Sequence, residues 1–399
     1  MIKPRKTPIV VVGDDWGRHV STIQHLFRRV IGQYPLVWVN SIGQRRPRFT
    51  IYDAKRAAKK LMAMTATHQA STVASDGLMP DRVVHPVALP WHDVAAVRSF
   101  NSWSLAKDIR KAVASVSPGE RPLLVCATPV AYGLIGKLDE LASIYYCMDD
   151  YGQIHGTDED MLEPLEREML ARVDALVATA ASLTVKRRPS SGRTLHLPQG
   201  VNFEHFSKAM KAPSDLAHLP RPILGFAGGV GPAVDFQLVR DLAAAFPDGS
   251  IAMIGPHQQD VSIEQWPANI HFLGPRPYAT LPAYVQAFDV GLVPYVHNDW
   301  TNAVDPLKLL EYLAAGIPVV STGLAESAKY ASVVEVADGS AAFESAARHA
   351  LATDTAERRT DRRSVASDNR WEERATRFLA FADAVATERS REPAVRKSS

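Results

Sequence analysis

Residues 305–322 read DPLKLLEYLAAGIPVVST, which puts a helix start, a helix stop and an apolar strand into one short stretch. Asp305 can N-cap a helix whose first position is Pro306, where the missing N–H costs nothing. Leu307, Leu310, Leu313 and Ala314 recur at helical spacing, Gly316 suits a left-handed stop, and Pro318 blocks continuation. The apolar run 317–320 follows at once and reads as a buried strand. Lys308 falls in the first helical turn, where a cation opposes the helix dipole. A bound anion removes that conflict, because a helix N-terminus presents free N–H groups. Glu311 lies three residues on and shares the face of Lys308. Such a pair can hold a nucleoside diphosphate, with phosphate at the cation and ribose hydroxyls at the carboxylate. Taken alone, it reads better as a surface ion pair on an amphipathic helix, so the rest of the chain has to decide.

At 399 residues the chain exceeds what one core usually holds, so two domains are expected. Apolar residues at 46% and charged residues at 22% are ordinary for a globular protein. With 45 basic and 43 acidic residues the formal charge is +2, and no global field points to nucleic acid as a partner. Cys126 and Cys147 each sit in an apolar run and are expected as buried free thiols, which suits a reducing cytosol. The N-terminal apolar run is too short for a signal peptide and no stretch reaches the length of a membrane span, so a cytoplasmic location is expected.

The first half alternates strand and helix patterns. Residues 8–13 (PIVVVG) read as a buried parallel strand, and the loop 14–21 (DDWGRHVS) carries Trp16, Arg18 and His19 beyond its carboxyl end. Open α/β sheets bind ligands there; a capping loop with solvated charges is an equal alternative. Residues 36–40 read as a second strand. The segment 45–60 then holds Arg45, Arg46, Arg48, Lys55, Arg56, Lys59 and Lys60 against the single acid Asp53, with Leu61, Met62 and Met64 as an apolar strip. It can dock on anionic lipid headgroups, although a solvated face is the commoner meaning of such a run. Further strands are expected at 83–89, 123–127, 143–148, 175–179 and 194–197, which together argue for a doubly wound parallel sheet. Thr128, Pro129 and Tyr132, and then Asp149, Asp150, Tyr151 and His155, fall past strand ends and are candidates for a substrate pocket. Asp158, Glu159 and Asp160 could chelate a metal. Placed before a helical pattern at 162–173, they are better explained by helix-dipole complementarity, and no metal or cofactor is expected.

Residues 197–206 (LPQGVNFEHF) look like a domain junction, and a new cycle begins after Pro222. The apolar runs 223–227, 251–254, 270–273, 290–294, 318–321 and 333–336 are mostly followed by loops rich in glycine, proline or polar residues: GGVG at 228–231, GPH at 255–257, GPR at 274–276 and the long 295–304.

The LPxGV-F junction, the GFxGG opening strand, FLGPRPYxxLPAYVQAFDVGLVPY at 272–295 and the 305–322 stretch together resemble the GT-B glycosyltransferases. The likeness is greatest to family 4 type bacterial enzymes that build polysaccharides and teichuronic acid. It implies an α/β fold with two Rossmann-like doubly wound parallel-sheet domains facing a cleft. Residues 1–199 would bind the acceptor and 200–366 the nucleotide sugar. A helix within 367–388 would return to the first domain, and the polar tail 389–399 reads as disordered. The implied activity moves a sugar from a UDP- or GDP-sugar to a glycan or lipid-linked acceptor in cell-surface polysaccharide synthesis, with retention and without a metal.

Residue by residue, Glu311 matches the family's ribose-binding glutamate and Lys308 the cation beside the diphosphate. Gly228 and Gly229 match the loop that lets backbone approach phosphate, and Arg276 and Tyr278 border the base. Two departures stand out. Ala303 occupies the position where many members carry a glutamate that contacts the sugar, which leaves Asp299, Asn302 or Asp305 for that task. GGVGPAVD lacks the usual cation pair, so Lys308, helped by Arg18 or His257, has to neutralise the diphosphate. On the acceptor side stand Trp16, Arg18, His19 and Asp150; Asp149 and His155 join Lys308 as catalytic candidates. An inverting enzyme would need a base among His19, Asp149, Asp150 and His155. A nucleotide-sugar 2-epimerase of the same architecture, and a nucleotide-binding scaffold with a degenerate site, are the other readings.

Overall fold

The computed structural model describes residues 7–18, 20–43, 77–89, 91–92, 94–154, 157–257 and 266–391. The chain forms two compact units, one made of 1–197 with 375–399 and the other of 198–374.

In the first unit the described strands are β1 (Ile9–Val12), β2 (Leu36–Val39), β3 (Arg82–Val84), β4 (Leu123–Cys126), β5 (Ala142–Cys147), β6 (Ala175–Ala178) and β7 (Thr194–His196). They pair in parallel in the order β3-β2-β1-β4-β5-β6-β7. Helices on both faces explain why β1, β2, β4, β5 and β6 are buried along their whole length. The strand expected at 83–89 is shorter than its apolar run. It ends at Val84, two residues before Pro86, which has no N–H to give to a sheet ladder. Asp158 N-caps the helix Glu159–Arg172, accepting from Met161 N at 3.1 Å, with Glu159 and Asp160 in the first turn. The acidic triplet therefore serves the helix dipole. The helix Trp371–Arg391 adds Phe378 to the core of this unit, where its ring lies 5.3 Å from Phe27 and 6.2 Å from Tyr146. Cys126 and Cys147 are buried free thiols, as expected.

The second unit repeats the plan with β8 (Ile223–Ala227), β9 (Ser250–Ile254), β10 (Ile270–Gly274), β11 (Val290–Val293), β12 (Val319–Ser321) and β13 (Glu335–Val336), all parallel, in the order β10-β9-β8-β11-β12-β13. The order reverses between β8 and β11, because β8 leads outward to β9 on one side and the chain returns to β11 on the other. In such a sheet the crevice at the carboxyl ends of those two strands is where ligands bind. The 305–322 stretch packs beside it. Its helix is Leu307–Ala315, and Gly316 stops it in the left-handed conformation (φ +85°), its N–H bonded to the carbonyls of Leu313 and Tyr312. The expected start is corrected. Pro306, extended at φ −75° and ψ 102°, occupies the N-cap position, and Asp305 does not cap. Its buried carboxylate instead accepts from Gln199 N at 2.7 Å, an amide of the junction loop. Lys308 still falls in the first turn.

Candidate functional site

The carboxyl ends of β8 and β11 converge on Lys308. Its ammonium donates to the Tyr295 hydroxyl and lies 4.6 Å from the centre of that ring and 5.2 Å from that of Phe226. Tyr295 directly follows Pro294 after β11, and Phe226 belongs to β8. A Cβ added to Gly228 would meet Lys308 Cε at 2.7 Å and Nζ at 3.2 Å. Glycine at 228 is therefore what lets the lysine reach the loop after β8. Aromatic faces hold a cation without neutralising it, and Lys308 has no carboxylate partner within salt-bridge distance among the described residues. A positive charge thus sits at the switch point of a parallel sheet, set there by a hydroxyl and two rings.

The glycine loop is built by backbone contacts. Gly228 N donates to Ile254 O at 2.8 Å, Val230 N to Pro256 O at 3.0 Å, and Ala227 N to the Tyr312 hydroxyl at 2.7 Å. The last bond ties the end of β8 to the helix that carries Lys308. Gly229 is exposed, with nothing within 4 Å of the place a Cβ would occupy. Gly255 adopts φ +146°, and a Cβ there would fall 1.8 Å from Gly228 O. Gly255→Ala should therefore displace the glycine loop. We expect a lower melting temperature, corresponding to about 1–3 kcal/mol, with affinity for an anion at Lys308 weakened even where the protein is folded. Thermal unfolding and titration of the same preparation check both.

Glu311 is only 6% exposed, one turn deeper than Lys308, and it accepts no side-chain bond from the described residues. Burial pushes its carboxyl up to about 7, against the pull of Lys308. A buried carboxylate without donors of its own is costly, and hydroxyl groups of a ligand would supply them.

The remaining expected residues make contacts of their own. Arg276 is committed within its own unit: Nη2 donates to Asp215 at 2.7 Å, Nε donates to the Tyr284 hydroxyl at 2.7 Å, and the guanidinium lies over that ring. Tyr278 stacks on His205 at 4.6 Å. Asp305 is buried, accepts from Gln199 N at 2.7 Å and is raised to about 7 by burial. Asn302 is exposed on a short turn (Thr301–Ala303), its Oδ1 3.4 Å from His297 Nδ1, and His297 in turn holds Asp338 at 2.7 Å. Ala303 is buried. His257 forms a parallel bridge with Val230 of the glycine loop and packs edge-on to Phe272 at 4.8 Å.

In the first unit two of the expected acceptor-side residues are buried. Trp16 is a core residue, packed edge-on to Trp38 at 4.7 Å, its Nε1 donating to Leu78 O at 3.3 Å. Asp150 is fully buried and paired with Lys186 and Arg187, while Arg187 also bonds Glu166 at 2.8 Å. A carboxylate so enclosed by two cations serves the interior. Arg18 is exposed and pairs with Asp15 at 3.5 Å. Asp149 is partly buried at the end of β5. His19, His155 and the basic segment 45–60 lie outside the described residues. Tyr295, Tyr312 and Gly255 are the site residues that pattern reading missed. An aromatic residue placed just past an apolar strand was the only signal for Tyr295.

Comparison with known proteins bears on this site directly. Residues 222–353, which contain Gly228, Tyr295, Lys308 and Glu311, match the family model described as glycosyl transferases group 1. The Bacillus subtilis (strain 168) protein TuaH, named for glycosyltransfer in teichuronic acid biosynthesis, is 33% identical over 179 residues, 42% of this chain and 45% of that protein. Among solved structures, Anabaena HepE in complex with UDP and glucose superposes with a TM-score of 0.64 at 12% identity, covering 95% of this chain and 100% of its own. The trehalose-phosphate synthase (UDP-forming) of Burkholderia vietnamiensis gives 0.64 at 15% identity, covering 97% and 98%. At such identities the likeness is one of fold. The chain has the GT-B fold, and its residues 222–353 are similar to the glycosyl transferases group 1 family; the chain spans about half the length of the curated relative it matches.

Proposed function

We propose that this protein is a glycosyltransferase that moves a sugar from a UDP- or GDP-sugar to a glycan or lipid-linked acceptor in cell-surface polysaccharide synthesis, working in the cytoplasm. The observation that carries the reading is the Lys308 ammonium, unneutralised at the β8–β11 switch point and pressed against Gly228. The leaving group in such a transfer is a nucleoside diphosphate, and stabilising its developing charge is the main catalytic task. Lys308, the helix N-terminus behind it and the open backbone at Gly229 supply positive potential in fixed positions, so the charge needs no metal in this reading. Glu311 accepts the ribose hydroxyls. Retention of configuration follows from the family likeness. The relative named for teichuronic acid biosynthesis supports a surface-glycan acceptor.

Incubation with radiolabelled UDP- and GDP-sugars and a cell lipid extract tests this, with label expected in the glycan or lipid fraction. A folded protein that transfers from no donor would sink the proposal. Deuterium incorporation at the sugar C2 without any acceptor would replace it with epimerisation.

A further inference from the structure

Among the described residues ten large hydrophobic side chains are exposed, and six of them lie between Val87 and Trp103 in the first unit. Phe100 and Trp103 are half-exposed at 50% and 56%, on the helix Ala95–Val116, with ring centres 6.2 Å apart. The preceding loop is clamped beside them. Asn101, itself buried, accepts from Leu89 N at 2.9 Å and donates to Leu89 O at 2.8 Å, and Arg98 donates to His92 O at 2.8 Å. Leu89 and Trp91 are thereby held out along the same helix, at 42% and 44% exposure. Leaving this much apolar area in water is unfavourable, and such concentrations mark contact surfaces.

The charge pattern says what kind of contact. One and two further turns beyond Phe100 and Trp103 the same helical stripe presents Lys107 and Lys111, both exposed. Lys107 Nζ lies 5.9 Å from the Trp103 ring. Neither lysine has a carboxylate partner among the described residues. Asp108, the helix's single acid, projects about 80° away from Phe100 around the axis. Aromatic side chains followed by unpaired lysines on one face match a surface that is apolar inside and anionic at its rim.

We propose that this face docks on an anionic phospholipid bilayer, with Phe100 and Trp103 at the headgroup level and Lys107 and Lys111 on lipid phosphates. It is a different surface from the basic segment 45–60, and it stands independently of the donor reading, since vesicle binding and donor turnover can fail separately. No described helix is long and apolar enough to cross a membrane, so the contact is interfacial.

The test is co-sedimentation of the full chain with vesicles of phosphatidylcholine, with or without phosphatidylglycerol. Binding is expected with phosphatidylglycerol and little without it. The pairs Phe100→Ser with Trp103→Ser, and Lys107→Glu with Lys111→Glu, should each weaken it at least about tenfold. Val185→Ser, at an exposed apolar position elsewhere in the unit, should leave it unchanged, and equal melting temperatures would show that every variant folds. Absence of binding to phosphatidylglycerol vesicles, or binding that both paired variants retain, would overturn the proposal. So would concentration-dependent self-association, without vesicle binding, that the aromatic pair abolishes; that result would assign the face to a second copy of the chain.

Discussion

Lys308→Ala is expected to lower donor turnover about 10²–10³-fold, the loss seen when one fixed donor to a developing anion is removed. The fold should survive it. The Lys308 side chain is tied by one bond, to Tyr295, and by two ring contacts, and the buried Glu311 carboxyl, already raised by desolvation, can stay protonated once the pull of the ammonium is gone. Arginine should not rescue it. The Lys308 stem already runs within van der Waals contact of Gly228, and a longer planar guanidinium cannot take the same path between the Phe226 and Tyr295 rings. Single-turnover rates with saturating donor, beside melting curves, separate a lost charge from a lost fold. Activity within a few-fold of wild type in the alanine variant would remove Lys308 from the chemistry.

Glu311→Gln is expected to do two opposite things. Turnover should fall about 10–100-fold, because a charge-assisted acceptor becomes a neutral one. Stability should rise at alkaline pH. The Glu311 carboxyl ionises near 4.5 in the unfolded chain and near 7 when folded. Across that window the folded state holds a proton that the unfolded state has released, so the contribution of this group is full below about pH 4.5 and is lost as pH climbs through 7. Glutamine cannot ionise. The variant should therefore be more stable than wild type by about 3 kcal/mol at pH 8, and within about 0.5 kcal/mol of it at pH 4.5. Asp305, raised to about 7 by the same cause, will keep some pH dependence in the variant. Denaturant melts at the two pH values provide the check, and a variant less stable than wild type at pH 8 would mean that Glu311 already has partners in the free protein.

Much of the architecture was legible because it rests on local chemistry. Gly316 stops its helix as its φ requires, Asp158 caps as an aspartate before a helix should, and the apolar runs of the second half become strands at nearly their expected limits. Side-chain destinations were less legible, since they depend on what distant segments bring. Asp305 looked like a cap because it precedes a helix, but the amide of Gln199 claims it across 106 residues. Asp150 and Trp16 stood past strand ends, where ligands bind, yet Arg187 and Trp38 draw them inward. Lys308 and Glu311 read alone as a surface pair. The carboxylate is instead buried and the ammonium is held by aromatic rings, which only the packing of β8 and β11 could reveal. The apolar face around Phe100 and Trp103 left little trace in periodicity, because its residues come from a loop and a weakly amphipathic helix.

The central claim is that the second unit holds a nucleoside diphosphate at Lys308 and Glu311, and calorimetric titration with UDP and GDP tests it most directly. Wild-type protein should bind one of the two, with at least about tenfold weaker binding after Lys308→Ala, as expected for loss of one charged contact to phosphate. Binding of neither nucleotide by the folded protein, or binding that Lys308→Ala leaves unchanged, would contradict it.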